Sequence, residues 1–196
     1  MILIFSYNRP DMLSRIIDQC PERTVVIDDG SSFKPDFFLK KCQFHRLRHG
    51  GKSGFWYNWH YALQICKQSK DEYFTFLADD FYNVKWDLLN KIKQEDPFAV
   101  NLLNDGRKNC FVVYPTKEVK FHGLPMLKVG FVDCGYYCNR SALEVLQFTM
   151  PPVDQKRFQR KYASSGVGSY QSLRFQVKRV PMYIPFKSLV KHGNHE

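Results

Sequence analysis

MILIFSYNRPDMLSRIIDQCPERTVVIDDGSS, residues 1–32, is the stretch from which the fold can be read. Ile2 to Phe5 is an unbroken apolar run that stops at Ser6-Tyr7-Asn8-Arg9-Pro10, after which Met12, Leu13, Ile16 and Ile17 recur at helical spacing. That pattern predicts a buried strand, a loop and a helix. Asn8 is the expected N-cap, and Pro10 falls in the first helical turn, where its missing N–H costs nothing. Thr24-Val25-Val26-Ile27 predicts a second buried strand, and Asp28-Asp29-Gly30-Ser31-Ser32 are turn residues that end it.

The alternation continues outward. Phe44 to Leu47 reads as a short strand before His49-Gly50-Gly51-Lys52-Ser53-Gly54, and Phe55, Trp56, Trp59, Leu63 and Cys66 then trace a helical face. Tyr73 to Leu77 predicts a strand ending on Ala78-Asp79-Asp80, and Trp86, Leu88, Leu89 and Ile92 predict a helix before the break at Pro97. Alternating strands and helices are the signature of an α/β fold with a mostly parallel central sheet flanked by helices. Beyond residue 97 the pattern is less regular. Strands are expected over Phe98–Leu103, Phe111–Tyr114 and Gly130–Tyr137, helices over Ala142–Phe148 and Tyr170–Val177, and a last strand at Met182-Tyr183-Ile184. With no repeat, linker or low-complexity segment, residues 1–196 are expected to form one domain.

Composition narrows the function classes. With 44% hydrophobic and 16% aromatic residues the chain can build a core, which excludes a disordered protein. The six cysteines form no CxxC pair and no zinc-type spacing. The opening apolar run is too short for a signal-peptide core or a membrane span, so a soluble, cytoplasmic protein without a membrane partner is expected. Gly51-Lys52-Ser53 is not a phosphate-binding P-loop, because Arg46 stands where that motif needs glycine. The net charge is +10, and Lys156 to Lys191 contains no acidic residue. Such a run attracts polyanions or simply solvates a surface.

In a parallel sheet the ligand lies beyond the carboxyl ends of the strands, where this chain carries Ser6-Tyr7-Asn8-Arg9, Asp28-Asp29-Gly30, the Gly50-Gly51-Lys52 loop and Asp79-Asp80. Taken singly, Asp28-Asp29-Gly30 suits a turn and Asp79-Asp80 suits a helix cap. The order SYNRP, VIDDGSS, GGKSG and LADDF resembles the nucleotide-sugar-binding half of GT-A glycosyltransferases, above all the inverting class related to cellulose and chitin synthases. The likeness covers residues 1–96 well and 97–196, the acceptor-side half, loosely. It implies a Rossmann-like GT-A fold in which Ser6, Tyr7, Asn8, Arg9 and Asp29 meet the base and ribose of a nucleotide-sugar donor. It also implies Lys52 near the diphosphate or holding the loop, Asn58 on the following helix, Asp79 at ribose or metal, and Asp80 at the metal. Ser188-Leu189-Val190-Lys191-His192 resembles the closing segment of such enzymes, which implies that His192 completes the metal shell or meets the diphosphate.

The implied cofactor is Mn2+ or Mg2+, a hard cation held by one or two carboxylates together with phosphate oxygens and water. Ala78 departs from the family's DxD pattern. The family's catalytic acid pair has no counterpart in Ser164-Ser165-Gly166-Val167-Gly168-Ser169, so Asp133 and Asp154 are the candidate bases. Asp133 is preferred, because an acid in an apolar strand is costly without a role. Two other classes compete: a nucleic-acid-binding module using the basic run and its rings, and a two-metal nuclease using Asp28, Asp29, Asp79 and Asp80. The first merges with the glycosyltransferase reading if the acceptor is a modified base in DNA, as for some bacteriophage enzymes, which would place the protein in a host cytoplasm. A carbohydrate acceptor is the rival.

Overall fold

The computed structural model describes all residues except 22, 49, 105–116, 134, 152–165 and 194–196, and the side chains of 51–53. Strand β1 (Ile2–Ser6) leads through α1 (Pro10–Ile17) to β2 (Thr24–Asp28), and α2 (Asp36–Leu39) leads to β3 (Gln43–Arg46). The long α3 (Gly51–Gln68) returns the chain to β4 (Tyr73–Ala78), followed by β5 (Phe81–Tyr82) and the single turn α4 (Trp86–Leu89). Then come β6 (Ala99–Asn101), a hairpin of β7 (Lys117–Phe121) and β8 (Leu124–Val129), and β9 (Tyr136–Asn139). The chain ends with α5 (Arg140–Val145), α6 (Val167–Val177), β10 (Met182–Pro185) and β11 (Lys191–His192).

One nine-stranded sheet runs β3-β2-β1-β4-β9-β6-β10-β8-β7, so β9 from the second half of the chain hydrogen-bonds to β4 from the first. β3, β2, β1 and β4 are mutually parallel, and the strands beyond them are mixed. Every residue of β1 and β2 is buried. Successive side chains of a strand point to opposite faces. Leu3 and Phe5 accordingly join Val25, Ile27, Trp59 and Phe76 in one core, while Ile2 and Ile4 join Leu13, Ile16, Val26 and Leu77 in the other. Covering both faces in this way is why the early strands read as unbroken apolar runs. Trp59 anchors the first core, stacked on Phe5 at 4.5 Å and on Phe76 at 5.0 Å.

Several expectations change in the second half and at the loops. The helix expected around Trp86–Ile92 is one turn, α4. The strand expected over Gly130–Tyr137 begins only at Tyr136, which leaves Asp133 exposed in the segment before β9. The expected strand at 111–114 lies outside the described residues. The β7–β8 hairpin was not expected, because Lys117, Glu118, Lys120 and Pro125 mask its alternation. Its signal is His122-Gly123, whose φ values of 50° and 80° suit a two-residue turn that needs positive φ at both positions. Nor does Asn8 cap α1. Arg9 holds the cap position without a side-chain bond, and Asn8 has φ 51°. Its amide oxygen instead accepts from Ser32 N–H at 2.8 Å, while its own N–H donates to Ser31 Oγ at 2.8 Å. Asparagine tolerates the left-handed region, so the side chain that looked like a cap is a tie between the loops after β1 and β2.

Candidate functional site

The parallel strands β2, β1 and β4 end side by side at Asp28, Ser6 and Ala78, and the loops that follow enclose a cleft of about 250 Å³. Phe5, Ile27 and Phe55 form its apolar wall, and Ser6, Tyr7, Arg9, Asp29, Asn58 and Asp79 its polar one. A half-apolar concavity with a few converging polar groups suits a ring together with a charged or hydroxylated tail.

One side of the cleft is built by the two aspartates after β2, which have opposite roles. Asp28 is fully buried and structural: Arg46 Nε donates to its carboxylate at 2.7 Å, Ser31 N–H at 3.0 Å, and the Ser31 hydroxyl completes the set. With the turn thus fixed, Asp29 presents its carboxylate to the cleft, where Oδ1 accepts from Asn58 Nδ2 at 2.8 Å and Gly50 N–H at 3.3 Å. The helix can approach this closely because residue 50 lacks a side chain; a Cβ there would lie 2.4 Å from Gly54 Cα. Asn58 is 1% exposed, yet its Oδ1 has no hydrogen-bond partner among the described residues. Leaving such an acceptor unmet costs about 1–3 kcal/mol, which a ligand N–H or O–H in the cleft would recover.

The other side carries the acidic pair. Asp79 accepts from Tyr7 N–H at 3.2 Å and Arg9 Nη1 at 3.3 Å, and the same nitrogen reaches Asp80 Oδ2 at 2.8 Å. Burial raises the Asp79 carboxyl pKa above its ordinary value, against the opposing pull of Ser6, Tyr7 N–H and Arg9. For Arg9, burial disfavours the charged form, but Asp79 and Asp80 together outweigh it and raise its pKa. His192 arrives from the far end of the chain. β11 pairs with β5 in the register His192↔Phe81, Gly193 N–H bonds to Asp80 O at 3.0 Å, and His192 Nε2 lies 3.4 Å from Asp80 Oδ2.

Asp80 Oδ1 is buried and has no hydrogen-bond partner among the described residues, which leaves it open to a cation or a donor. No three His, Cys, Asp or Glu side chains converge among the described residues, so a closed protein cage is not what is built. A carboxylate and an imidazole beside an open cleft do fit a divalent cation that takes its remaining ligands from phosphate and water.

Ser6, Tyr7, Arg9, Asp29, Asn58 and Asp79, all candidates from sequence, therefore line one cleft, with Asp80 and His192 beside it. Asn8 shapes the loop and is not among the lining residues. Lys52 lies in the first turn of α3. Asp133 does not line the cleft; its N–H donates to Asn101 Oδ1 at 3.4 Å, and a Cβ at Gly168 would lie 3.1 Å from its Oδ1, so it packs against the first turn of α6. The argument from an apolar strand therefore fails for Asp133, which is exposed. Asp154 lies outside the described residues. The sequence reading missed Ile27 and Phe55, because apolar residues of a strand and a helix carry no signal distinguishing a cleft wall from a core.

The chain shares its fold with S. aureus TarS. The structure of TarS 1–349 superposes with a TM-score of 0.61 at 12% identity, covering 98% of this chain and 59% of that one. TarS 1–349 in complex with UDP gives 0.55 at 12% identity, over 96% and 58%. CMP:2-keto-3-deoxy-manno-octonic acid synthetase complexed with CTP gives 0.54 at 10% identity, over 94% and 88%. The chain thus spans about three fifths of the length of the TarS structure. No family model and no curated protein matches the sequence. At these identities the likeness establishes the α/β fold with helices on both sides of the sheet, as the resemblance to GT-A enzymes implied. Among the described residues no helix is long and apolar enough to cross a membrane.

Proposed function

We propose that this chain transfers a sugar from a nucleotide-sugar donor to a hydroxyl acceptor, with Mn2+ or Mg2+ as cofactor. The observation that carries this reading is a cleft lined by Asp29 and Asn58 on one side and Asp79 on the other, with Asp80 and His192 in contact beside it. In this reading Asp29, held by Asn58, and the Asn58 oxygen bind the nucleoside, with Phe55 and Ile27 as the apolar wall for its ring. Asp79 takes a ribose hydroxyl or a share of the metal. Asp80 and His192 would hold a divalent cation, which would supply Lewis-acid stabilisation for the departing diphosphate. The acceptor oxygen forms the new bond to the sugar's anomeric carbon as the bond to the diphosphate breaks. Asp133, exposed before β9, accepts the hydroxyl proton.

For the acceptor we favour DNA carrying a modified base, on the strength of the +10 charge. Lys178, Arg179, Lys187 and Lys191 of the acid-free run are exposed, whereas Arg174 turns inward to donate to Leu146 O at 2.6 Å and to Thr149 O. Lys156, Arg157, Arg160 and Lys161 lie outside the described residues. A second reading, nucleotidyl transfer, is favoured by the likeness to the CTP-bound synthetase, 88% of which this chain covers.

Product analysis separates the two. Incubation with nucleotide sugars, nucleoside triphosphates and Mn2+ should release a nucleoside diphosphate from a nucleotide sugar. Pyrophosphate release from a triphosphate would favour the second reading. Asp80→Asn should abolish the metal-dependent part of donor binding, measured by calorimetry. Unchanged metal-dependent affinity would remove Asp80 from the site. Salt-sensitive binding of duplex DNA supports the acceptor, and sugar transfer to a free saccharide without DNA binding refutes it.

A further inference from the structure

We propose that Arg9 is an internal counter-cation for the Asp79–Asp80 pair, displaced when a nucleoside diphosphate and a divalent cation bind together. This rests on the nucleotide-sugar reading above. Two successive carboxylates at the mouth of a partly apolar cleft repel one another in a medium less polar than water, and a cation between them relieves that repulsion. One is present within the chain. A single nitrogen, Arg9 Nη1, contacts Asp79 Oδ1 at 3.3 Å and Asp80 Oδ2 at 2.8 Å. His192 Nε2 approaches the same Asp80 oxygen at 3.4 Å. Arg9 and Asp79 both line the cleft, so the guanidinium lies where the acidic pair opens on it, while Asp80 Oδ1 is buried and without a partner among the described residues. A divalent cation seeking both carboxylates meets a positive charge already there.

The residue is placed so that its side chain can leave while its backbone stays. Asn8, next to it, is tied to Ser31 and Ser32 by two bonds of 2.8 Å, and Arg9 O accepts the first turn's bond from Leu13 N–H at 3.0 Å. The Arg9 side chain is half exposed, whereas Asp79 is 7% exposed, so the arginine moves into solvent with little burial lost and the carboxylate does not. A diphosphate in the cleft offers the departing guanidinium a better partner, because the planar fork matches two phosphate oxygens. Arg9 then turns from the aspartates to the donor, and the freed carboxylates face the metal. Metal without nucleotide must compete with Arg9; metal with nucleotide does not.

The test reads metal binding directly on the full chain. Mn2+ alone is titrated and free Mn2+ followed by electron paramagnetic resonance, for the wild type, Arg9→Gln and Arg9→Lys, with Arg9→Met as a second neutral variant. The neutral variants should bind Mn2+ alone at least about tenfold more tightly than the wild type, as expected when a unit charge a few ångströms away is removed. Arg9→Lys, which keeps a competing charge, should stay near the wild type. Adding UDP, CDP, ADP and GDP in turn should tighten Mn2+ binding strongly in the wild type and much less in the neutral variants. Neutral variants that bind Mn2+ no more tightly than the wild type overturn the proposal, even where nucleotides bind. If no nucleoside diphosphate binds any of the proteins, the nucleotide-sugar reading falls, whatever the Mn2+ titrations show.

Discussion

Arg46→Met measures how much the fold invests in the turn that aims Asp29. Asp28 is fully buried, and Arg46 Nε is one of three donors to its carboxylate, at 2.7 Å. A hydrogen bond to a charged group contributes about 1.5–3 kcal/mol. The larger losses seen on breaking fully buried pairs do not apply, because the Arg46 side chain is 33% exposed and Ser31 still donates twice. Arg46 Nη2 also donates to Phe33 O at 2.8 Å, and the guanidinium lies 5.2 Å from the Phe33 ring, together contributing about another 1 kcal/mol. The expected loss is therefore about 2–4 kcal/mol, a fall in Tm of about 5–12 °C at this chain length. Urea unfolding followed by circular dichroism, with calorimetry for Tm, reads it. Arg46→Lys should recover less than half, because an ammonium cannot replace both the Nε and the Nη2 bonds. A loss below about 1 kcal/mol for Arg46→Met would refute the assignment of this ion pair as the support of the turn.

Asp79→Asn should separate stability from function. Burial lifts the Asp79 pKa, so the folded state holds that proton more tightly than the unfolded one, and stability is lost as pH rises from the unfolded value through the raised folded one. The variant's Tm at pH 7 should therefore equal or exceed that of the wild type while donor affinity falls; an advantage that grows on acidification contradicts the sign. Gly135→Ala places a Cβ 2.2 Å from Phe81 Cε2, and the Phe81 ring lies 5.4 Å from that of His192. It should cost about 1–3 kcal/mol by overpacking and weaken Mn2+-dependent nucleotide binding as well, whereas wild-type Tm and affinity together would show that the ring yields freely. Asp133→Asn should lower kcat with little change in donor affinity, the pattern of a group that acts in the transition state; if Asp154→Asn shows it instead in parallel kinetics, Asp154 is the base.

The first half of the chain was legible because its signals are local. A fully buried parallel strand is an apolar run, its end is a turn, and β1, β2 and β4 fall within a residue or two of where the runs stop. Ser6, Tyr7, Arg9, Asp29 and Asp79 could be named because all follow a strand, and Asn58 because the GGKSG loop and its helix resemble those of GT-A enzymes. The second half was less legible, because its pairings are long-range. β9 enters the sheet between β4 and β6, and β5 and β11 are two residues each, too short for any periodicity to show. That His192 meets Asp80 follows from a register across more than a hundred residues, which residue types alone do not specify. Asn8 was misread because an asparagine one residue before the cap position looks the same in sequence whether it caps a helix or bridges two loops.

Departures from ordinary local rules do not by themselves mark the site. Among the described residues, Trp59 Nε1 and both polar atoms of Gln171 are buried without partners, yet neither residue lines the cleft. Trp59 is accounted for by its stacked neighbours, since a large ring gains enough from contact to outweigh one unmet N–H. What differs at the cleft is that several departures share one opening and are complementary in charge. Asn58 presents an unmet acceptor, Asp79 is an acid held with a raised pKa, Asp80 has a buried oxygen with no donor, and Arg9 spans the two acids. The unmet acceptors and the buried acid reduce the stability of the empty protein while Arg9 offsets the repulsion of the acids, and all would be met by a ligand that carries hydrogen-bond donors at one end and a cation-bearing anion at the other. A nucleotide with its metal has that polarity. A carboxylate-metal nuclease needs a second acidic pair facing the first, but Asp28 is enclosed by Arg46 and Ser31, and Asp29 is held by Asn58 on the opposite wall. Asp28 and Asp79 are both buried and Asp28 is taken up by the turn, so the four aspartates do not form the facing acidic pairs of a two-metal centre.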